Sequence, residues 1–101
     1  MSKVGGKQAS KGLYQTILQL RDEEECFEFF QDLCTVSELR AMEQRYDVAV
    51  LLKKGMIYND ILRQTGASSA TISRVNRALN YGCGGYEKVL GRLFPSDKEE
   101  P

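Results

Sequence analysis

The chain has 101 residues and 11.4 kDa, with 14 Lys and Arg against 14 Asp and Glu, no His, no Trp and three Cys. A chain of this length makes one compact domain and buries roughly 60 to 70 per cent of the surface its unfolded form exposes, so a second copy or a partner is expected to add core. Without His it lacks the commonest base at neutral pH and a common zinc ligand, which sets aside most hydrolase and metalloenzyme templates. Taken over the whole chain, a formal charge of zero also counts against a nucleic-acid partner, because such binders carry a basic excess.

Residues 1–10 and 95–101 are polar, charged or glycine-bearing and are expected to be flexible tails around a domain over 11–94. Met1 to Lys11 has no apolar stretch of the kind a secretory signal needs, and no run of eighteen apolar residues could span a bilayer. The expectation is a cytoplasmic protein with no membrane partner. Prolines occur only at 95 and 101, so nothing forbids helix between residues 11 and 94.

Leu13, Ile17, Leu18 and Leu20 predict a first amphipathic helix from about Gly12 to Arg21. Asp22 is placed to cap a second, with Glu23, Glu24 and Glu25 in the first turn, where the helix dipole favours anions, and Cys26, Phe27, Phe29, Phe30 and Leu33 on its apolar side. Thr35-Val36-Ser37-Glu38 has the form of a capping box and opens a long third helix to Lys54. Leu39, Met42, Tyr46, Ala49 and Leu52 recur along it at steps of three and four, and Val48, Val50 and Leu51 widen the stripe beyond one face. Such a helix is central. Gly55, after Lys53 and Lys54, is placed to end it. A helix over Tyr58–Thr65, a turn at Gly66, a helix over Ser69–Tyr81 and a last one over Tyr86–Phe94, with Tyr86, Val89, Leu90 and Leu93 apolar, complete an all-α pattern.

Cys26, Cys34 and Cys83 are odd in number, have no CxxC spacing and no His beside them, so neither a disulfide framework nor a metal site is expected. Tyr81-Gly82-Cys83-Gly84-Gly85 reads as a flexible turn around an incidental thiol, with a redox role as the alternative.

Tyr58 to Leu79 has the arithmetic of a helix-turn-helix: two helices joined by a tight glycine turn, with Ile61, Leu62, Ala67, Ile72 and Val75 placed to pack them together. On the second helix Ile72, Val75 and Leu79 form one apolar stripe, which turns Ser69, Ala70, Ser73, Asn76 and Arg77 to the other side. Small side chains there let the backbone approach a major groove, Ser and Thr reach phosphates or base edges, and Arg bridges guanine. Ser68-Ser69-Ala70-Thr71 adds a hydroxyl cap and free amides that can hold a phosphate. An ordinary helical hairpin has the same spacing, and charge distribution bears on the choice. Residues 21–38 hold one basic and seven acidic groups, a balance of −6, whereas residues 39–96 hold nine basic and four acidic, a balance of +5. The overall zero is a cancellation.

Glu38-Leu39-Arg40-Ala41-Met42, Arg45, Gly55, Gly66-Ala67, Ala70-Thr71-Ile72-Ser73-Arg74 and Leu79 together resemble the bacterial tryptophan repressor, and more closely its YerC/YecD-type relatives. Gly-Ala-Ser-Ser-Ala-Thr-Ile-Ser-Arg-Val from Gly66 is the most specific stretch, and the likeness spans about residues 11–94. The resemblance implies a six-helix tryptophan-repressor-like fold and an intertwined homodimer, with recognition helices about 34 to 36 Å apart on a two-fold operator in double-stranded DNA. It also implies an effector pocket. Arg45 matches the arginine that covers one face of a bound indole, and Arg74 the one that meets the ligand carboxylate. Val75 stands where those repressors have glycine, and Ala78 where they have the serine that receives the ligand's amino group. A branched side chain at the pocket floor fills space the ring needs, which argues against tryptophan and leaves another amino acid, or no small molecule, as the co-effector.

The sequence therefore leads to a non-enzymatic, DNA-binding transcription regulator, a repressor of biosynthetic or metabolic genes, with no metal or resident cofactor. Its expected DNA-binding residues are Ser68, Ser69, Ala70, Thr71, Ser73, Asn76 and Arg77; the resemblance implies an effector pocket of Arg45, Arg74, Val75 and Ala78, with Arg45 and Arg74 as structural or phosphate-binding arginines the alternative. The alternative is a helical protein-interaction module that does not bind DNA.

Overall fold

A computed structural model describes residues 11–95. These form six α-helices and no strand: α1 (Lys11–Ile17), α2 (Glu23–Leu33), α3 (Val36–Lys53), α4 (Tyr58–Thr65), α5 (Ser69–Tyr81) and α6 (Gly85–Leu93). Of the expected tails at 1–10 and 95–101, all but Pro95 lie outside the described residues. The described chain falls into two compact units, one ending at Leu39 and the other beginning at Arg40, so the boundary lies inside α3.

In the first unit, local hydrogen bonds fix the helix starts. Asp22, in extended backbone, accepts from the Glu25 amide at 2.9 Å, and the Glu25 carboxylate accepts from the Arg21 amide at 2.9 Å. Thr35 and Glu38 close the capping box that opens α3: the Glu38 amide donates to Thr35 Oγ1 at 3.1 Å and the Thr35 amide to Glu38 Oε1 at 2.9 Å. The first helix stops at Ile17 rather than Arg21. Gln19 and Leu20 bond back three residues, to Thr16 and Ile17, and this tighter winding lets the chain leave the helix before the extended Asp22. Phe29 and Phe30 meet edge to face at 5.5 Å, yet no described residue of this unit is buried, and Leu18, Phe27, Leu33 and Val36 stay exposed.

The second unit holds the core: Val48 and Ala49 of α3, Ile61 of α4, Ala67 of the turn, Ile72 and Val75 of α5 and Leu90 of α6. Val50, Leu51, Leu52, Met56, Leu79 and Tyr86 pack around it. Fully burying an aliphatic side chain of this kind is worth roughly 1.5 to 3 kcal/mol, and it is the spacing of these residues that holds α4 and α5 to the end of α3. A Schellman turn closes α3: Gly55, at φ +90°, bonds to the Leu52 carbonyl and Met56 to that of Leu51, both at 3.0 Å. Leu62, expected in the helix pair's interface, is exposed, because it lies about 100° around α4 from the buried Ile61. The last helix begins at Gly85, not Tyr86, behind Gly84 at φ +88°, and it ends at Leu93. Of its apolar residues only Leu90 is buried, with Tyr86 partly covered and Val89 and Leu93 exposed. Lys54 Nζ stands over the Phe94 ring at 5.5 Å, so the charge at the end of α3 is held against the end of α6.

Candidate nucleic-acid interface

The corner between α4 and α5 is built from side-chain to backbone bonds. Thr65 Oγ1 donates to the Ile61 carbonyl at 2.8 Å and accepts from the Ala67 amide at 3.0 Å. Gly66 takes the left-handed conformation, φ +75°, and its amide returns to the Leu62 carbonyl at 2.9 Å. Ser68 then caps α5 by accepting from the Thr71 amide at 3.1 Å. With Ala67, Ile72 and Val75 buried beneath, these bonds set the angle at which α5 leaves the turn.

The outer face of α5 carries most of the residues expected to meet DNA. Ser68, Ser69, Ala70, Ser73 and Arg77 are exposed, and Ala70, Ser73, Arg74 and Arg77 line one shallow groove along the helix. Their spacing, at steps of three and four, puts them on a single face. Thr71 and Asn76 differ from that expectation. Both are partly covered; the Thr71 hydroxyl accepts from Ser68, and the Asn76 Oδ1 and carbonyl accept from Asn80 Nδ2 at 3.1 and 2.9 Å. Asn76 sits beside the Ile72–Val75–Leu79 stripe rather than opposite it, and an i,i+4 bond to Asn80 occupies its side chain.

A second concavity lies between α3 and α5, lined by Ala41, Gln44, Arg45, Ala70, Thr71 and Arg74. The two arginines expected of an effector pocket are therefore brought to one place. The other two residues expected there are not in its wall. Val75 is 2% exposed and belongs to the core stripe, so its methyls meet Ile72 and its neighbours rather than a pocket floor, while Ala78 is exposed on α5. Ala41 and Gln44 take part instead. Ala41, four residues before Arg45, lies on the same side of α3, a spacing visible in the sequence once Arg45 is singled out, whereas Gln44 lines the concavity from about 100° around the helix.

Among the described residues the ion pairs are Lys53 with Glu87 and Arg63 with Asp60, so Arg45, Arg74 and Arg77 are in none. Three guanidiniums outside those ion pairs, Arg45 on α3 and Arg74 and Arg77 along α5, favour anions, and their planar forks suit phosphate or carboxylate. No group of three or more potential metal ligands occurs among the described residues. The three cysteines are free thiols, Cys26 and Cys34 half-buried and Cys83 exposed. No described helix is long and apolar enough to cross a membrane.

Comparison with known proteins agrees with this geometry. The chain is 46% identical over 99 residues to the uncharacterized protein YerC of Bacillus subtilis (strain 168), covering 98% of this chain and 94% of YerC. The crystal structure of a TrpR-like protein from Eubacterium eligens ATCC 27750 superposes with a TM-score of 0.79 at 51% identity, covering 82% of this chain and 86% of that one. A Staphylococcus aureus protein provisionally described as a Trp repressor gives 0.78 at 46% identity, over 81% of this chain and 82% of that one. The Trp repressor protein family matches residues 8–94. With the family's span covering all six helices and both arginine-lined surfaces, the chain belongs to the Trp repressor protein family, a family of DNA-binding transcription regulators rather than enzymes.

Proposed function

We propose that the chain acts in the cytoplasm as a homodimeric repressor that sets the outer face of α5, Ser69 to Arg77, into the major groove of a two-fold operator. The observation that carries this is the single exposed face of Ala70, Ser73, Arg74 and Arg77 on a helix whose buried face and Ser68 cap fix it against the rest of its unit. At the helix start the Ser69 and Thr71 hydroxyls and the Ser69 and Ala70 amides can donate to phosphate, the Ser68 hydroxyl and Thr71 amide being used in the cap, and Arg77 offers a fork to guanine.

Dimerisation follows from what one copy leaves uncovered. The first unit buries no described side chain, and Leu18, Phe27, Leu33, Val36, Tyr46, Ile57, Val89 and Leu93 are between 40% and 80% exposed. An 85-residue span with seven buried hydrophobics is short of the core that a domain of this size needs, and a second copy is the occupant that supplies the same apolar surface in return.

The pocket between α3 and α5 is proposed as the effector site. Arg45 and Arg74, with Gln44 and Thr71 beside them, would hold a carboxylate-bearing ligand, an amino acid for choice, and Val75 and Ala78 take no direct part in it. A fluorescence titration against genomic fragments tests the DNA reading: affinity for one sequence well above bulk DNA, falling steeply with salt, is expected, and affinity indifferent to both sequence and salt overturns it. Calorimetry of the amino acids with and without that DNA tests the effector, since a true co-effector binds more tightly in its presence.

A further inference from the structure

The geometry points to Gln44 as the positioning residue that fixes the helix-turn-helix corner to α3, acting through the backbone of Thr65. This rests on the DNA-binding reading for its consequence, though not for its geometry. Gln44 Nε2 donates to the Thr65 carbonyl at 3.2 Å, a partly buried bond across 21 residues of chain. Thr65 is the last residue of α4, and a helix leaves its last four carbonyls without intrahelical partners.

In this helix the supply of partners can be followed group by group. The Leu62 carbonyl receives the Gly66 amide and the Ile61 carbonyl the Thr65 hydroxyl, while that same hydroxyl accepts the Ala67 amide. All of these bonds are local to the corner. They shape the turn without saying where it sits. The bond from Gln44 ties the same corner to a distant helix, and it falls at the residue whose side chain already holds Ile61 to Ala67. Ile61 and Ile72 are packed into the core by undirected apolar contacts, and the Gln44–Thr65 bond adds one directed polar tie between the corner and α3.

The side chain also has a second place in the molecule. Gln44 lines the pocket beside Arg45 and Arg74, and its carbonyl oxygen and second amide proton are not used by the bond to Thr65. The group that holds the corner therefore also forms part of the pocket wall, so whatever binds between the two arginines touches the tether of the reading helix.

The test uses the full chain with Gln44→Met, which keeps length and removes the donor, Gln44→Lys, which restores one, and Arg45→Met, which alters the same pocket without touching the tether. Amide hydrogen exchange at Gly66 and Ala67 is compared with that at Val48 and Ala49 in the core. Gln44→Met is expected to speed exchange at the corner about fivefold, the cost of one lost hydrogen bond, with the core amides unchanged, Gln44→Lys slower again, and Arg45→Met like wild type. The ratio of operator to bulk-DNA affinity should fall about fivefold in Gln44→Met by the same loss. Unchanged corner exchange, equal acceleration of the core amides, failure of Gln44→Lys to restore protection, or an Arg45→Met effect of the same size would each overturn the assignment. If wild type shows no operator preference, the DNA reading fails while the exchange data still decide the role of Gln44.

Discussion

Ser68 and Thr71 are joined twice: the Thr71 amide donates to Ser68 Oγ at 3.1 Å, and the Ser68 hydroxyl donates to Thr71 Oγ1 at 3.1 Å. One pair of side chains thus settles where α5 begins and ties the Thr71 hydroxyl to the cap. Replacing Ser68 by Ala should cost about 1 kcal/mol of stability, a drop of roughly 4 to 8 °C in the melting midpoint for a domain of this size. Differential scanning calorimetry checks it; an unchanged midpoint would mean that the cap contributes nothing.

Arg77 is exposed at the far end of the reading face and lies in no ion pair among the described residues, so its removal exposes no partner and opens no cavity. Arg77→Ala should weaken operator binding by about 1 to 3 kcal/mol and relax sequence preference at one base-pair position. Sedimentation should show the assembly state unchanged. Equal weakening on every sequence, with a shallower salt dependence, would move this arginine from base to phosphate.

Gly66 has φ +75°, and a Cβ built there meets nothing within 4 Å, so the cost of a side chain is conformational alone. Gly66→Ala should destabilise by about 1 to 2 kcal/mol, the penalty of a left-handed L-residue. Gly55, at φ +90° and equally open, should behave alike. Chemical denaturation measures both, and a neutral Gly66→Ala would place the turn in another conformation.

The first unit leaves apolar side chains uncovered, which the proposed dimer would share between two copies. If two copies share a core, the thermal midpoint must rise as protein concentration rises, because mass action favours the associated folded state. A midpoint constant over a hundredfold dilution, with a monomer mass throughout, would remove the dimer.

Helix boundaries were legible where a side chain with one dominant local use sits at the junction. Thr35 with Glu38, Gly55, Gly66 and Ser68 each declare an end by chemistry that needs no distant partner. The end of α1 was not legible, since it depends on two amides choosing carbonyls three residues back rather than four. The reading face was visible as the complement of Ile72, Val75 and Leu79, and that same stripe already located Val75 in the core. The match to a family glycine implies a pocket floor for Val75, whereas the periodicity of its own helix puts it in the core, where it lies. Gln44 is the opposite case. Its bond to Thr65 crosses 21 residues, and nothing in the local sequence marks Gln44, the one side-chain amide on α3, as having a distant partner.

The division of charge between residues 21–38, at −6, and residues 39–96, at +5, governs how a chain of this kind searches. A regulator that is basic throughout is held by whatever duplex it meets, since counterion release rewards every contact alike. On the proposed DNA reading the attraction of one stretch is opposed by the repulsion of another, and brief encounters with arbitrary sequence are the expected outcome. Long residence would then fall to the few groups proposed to tell one sequence from the next, those on the outer face of α5.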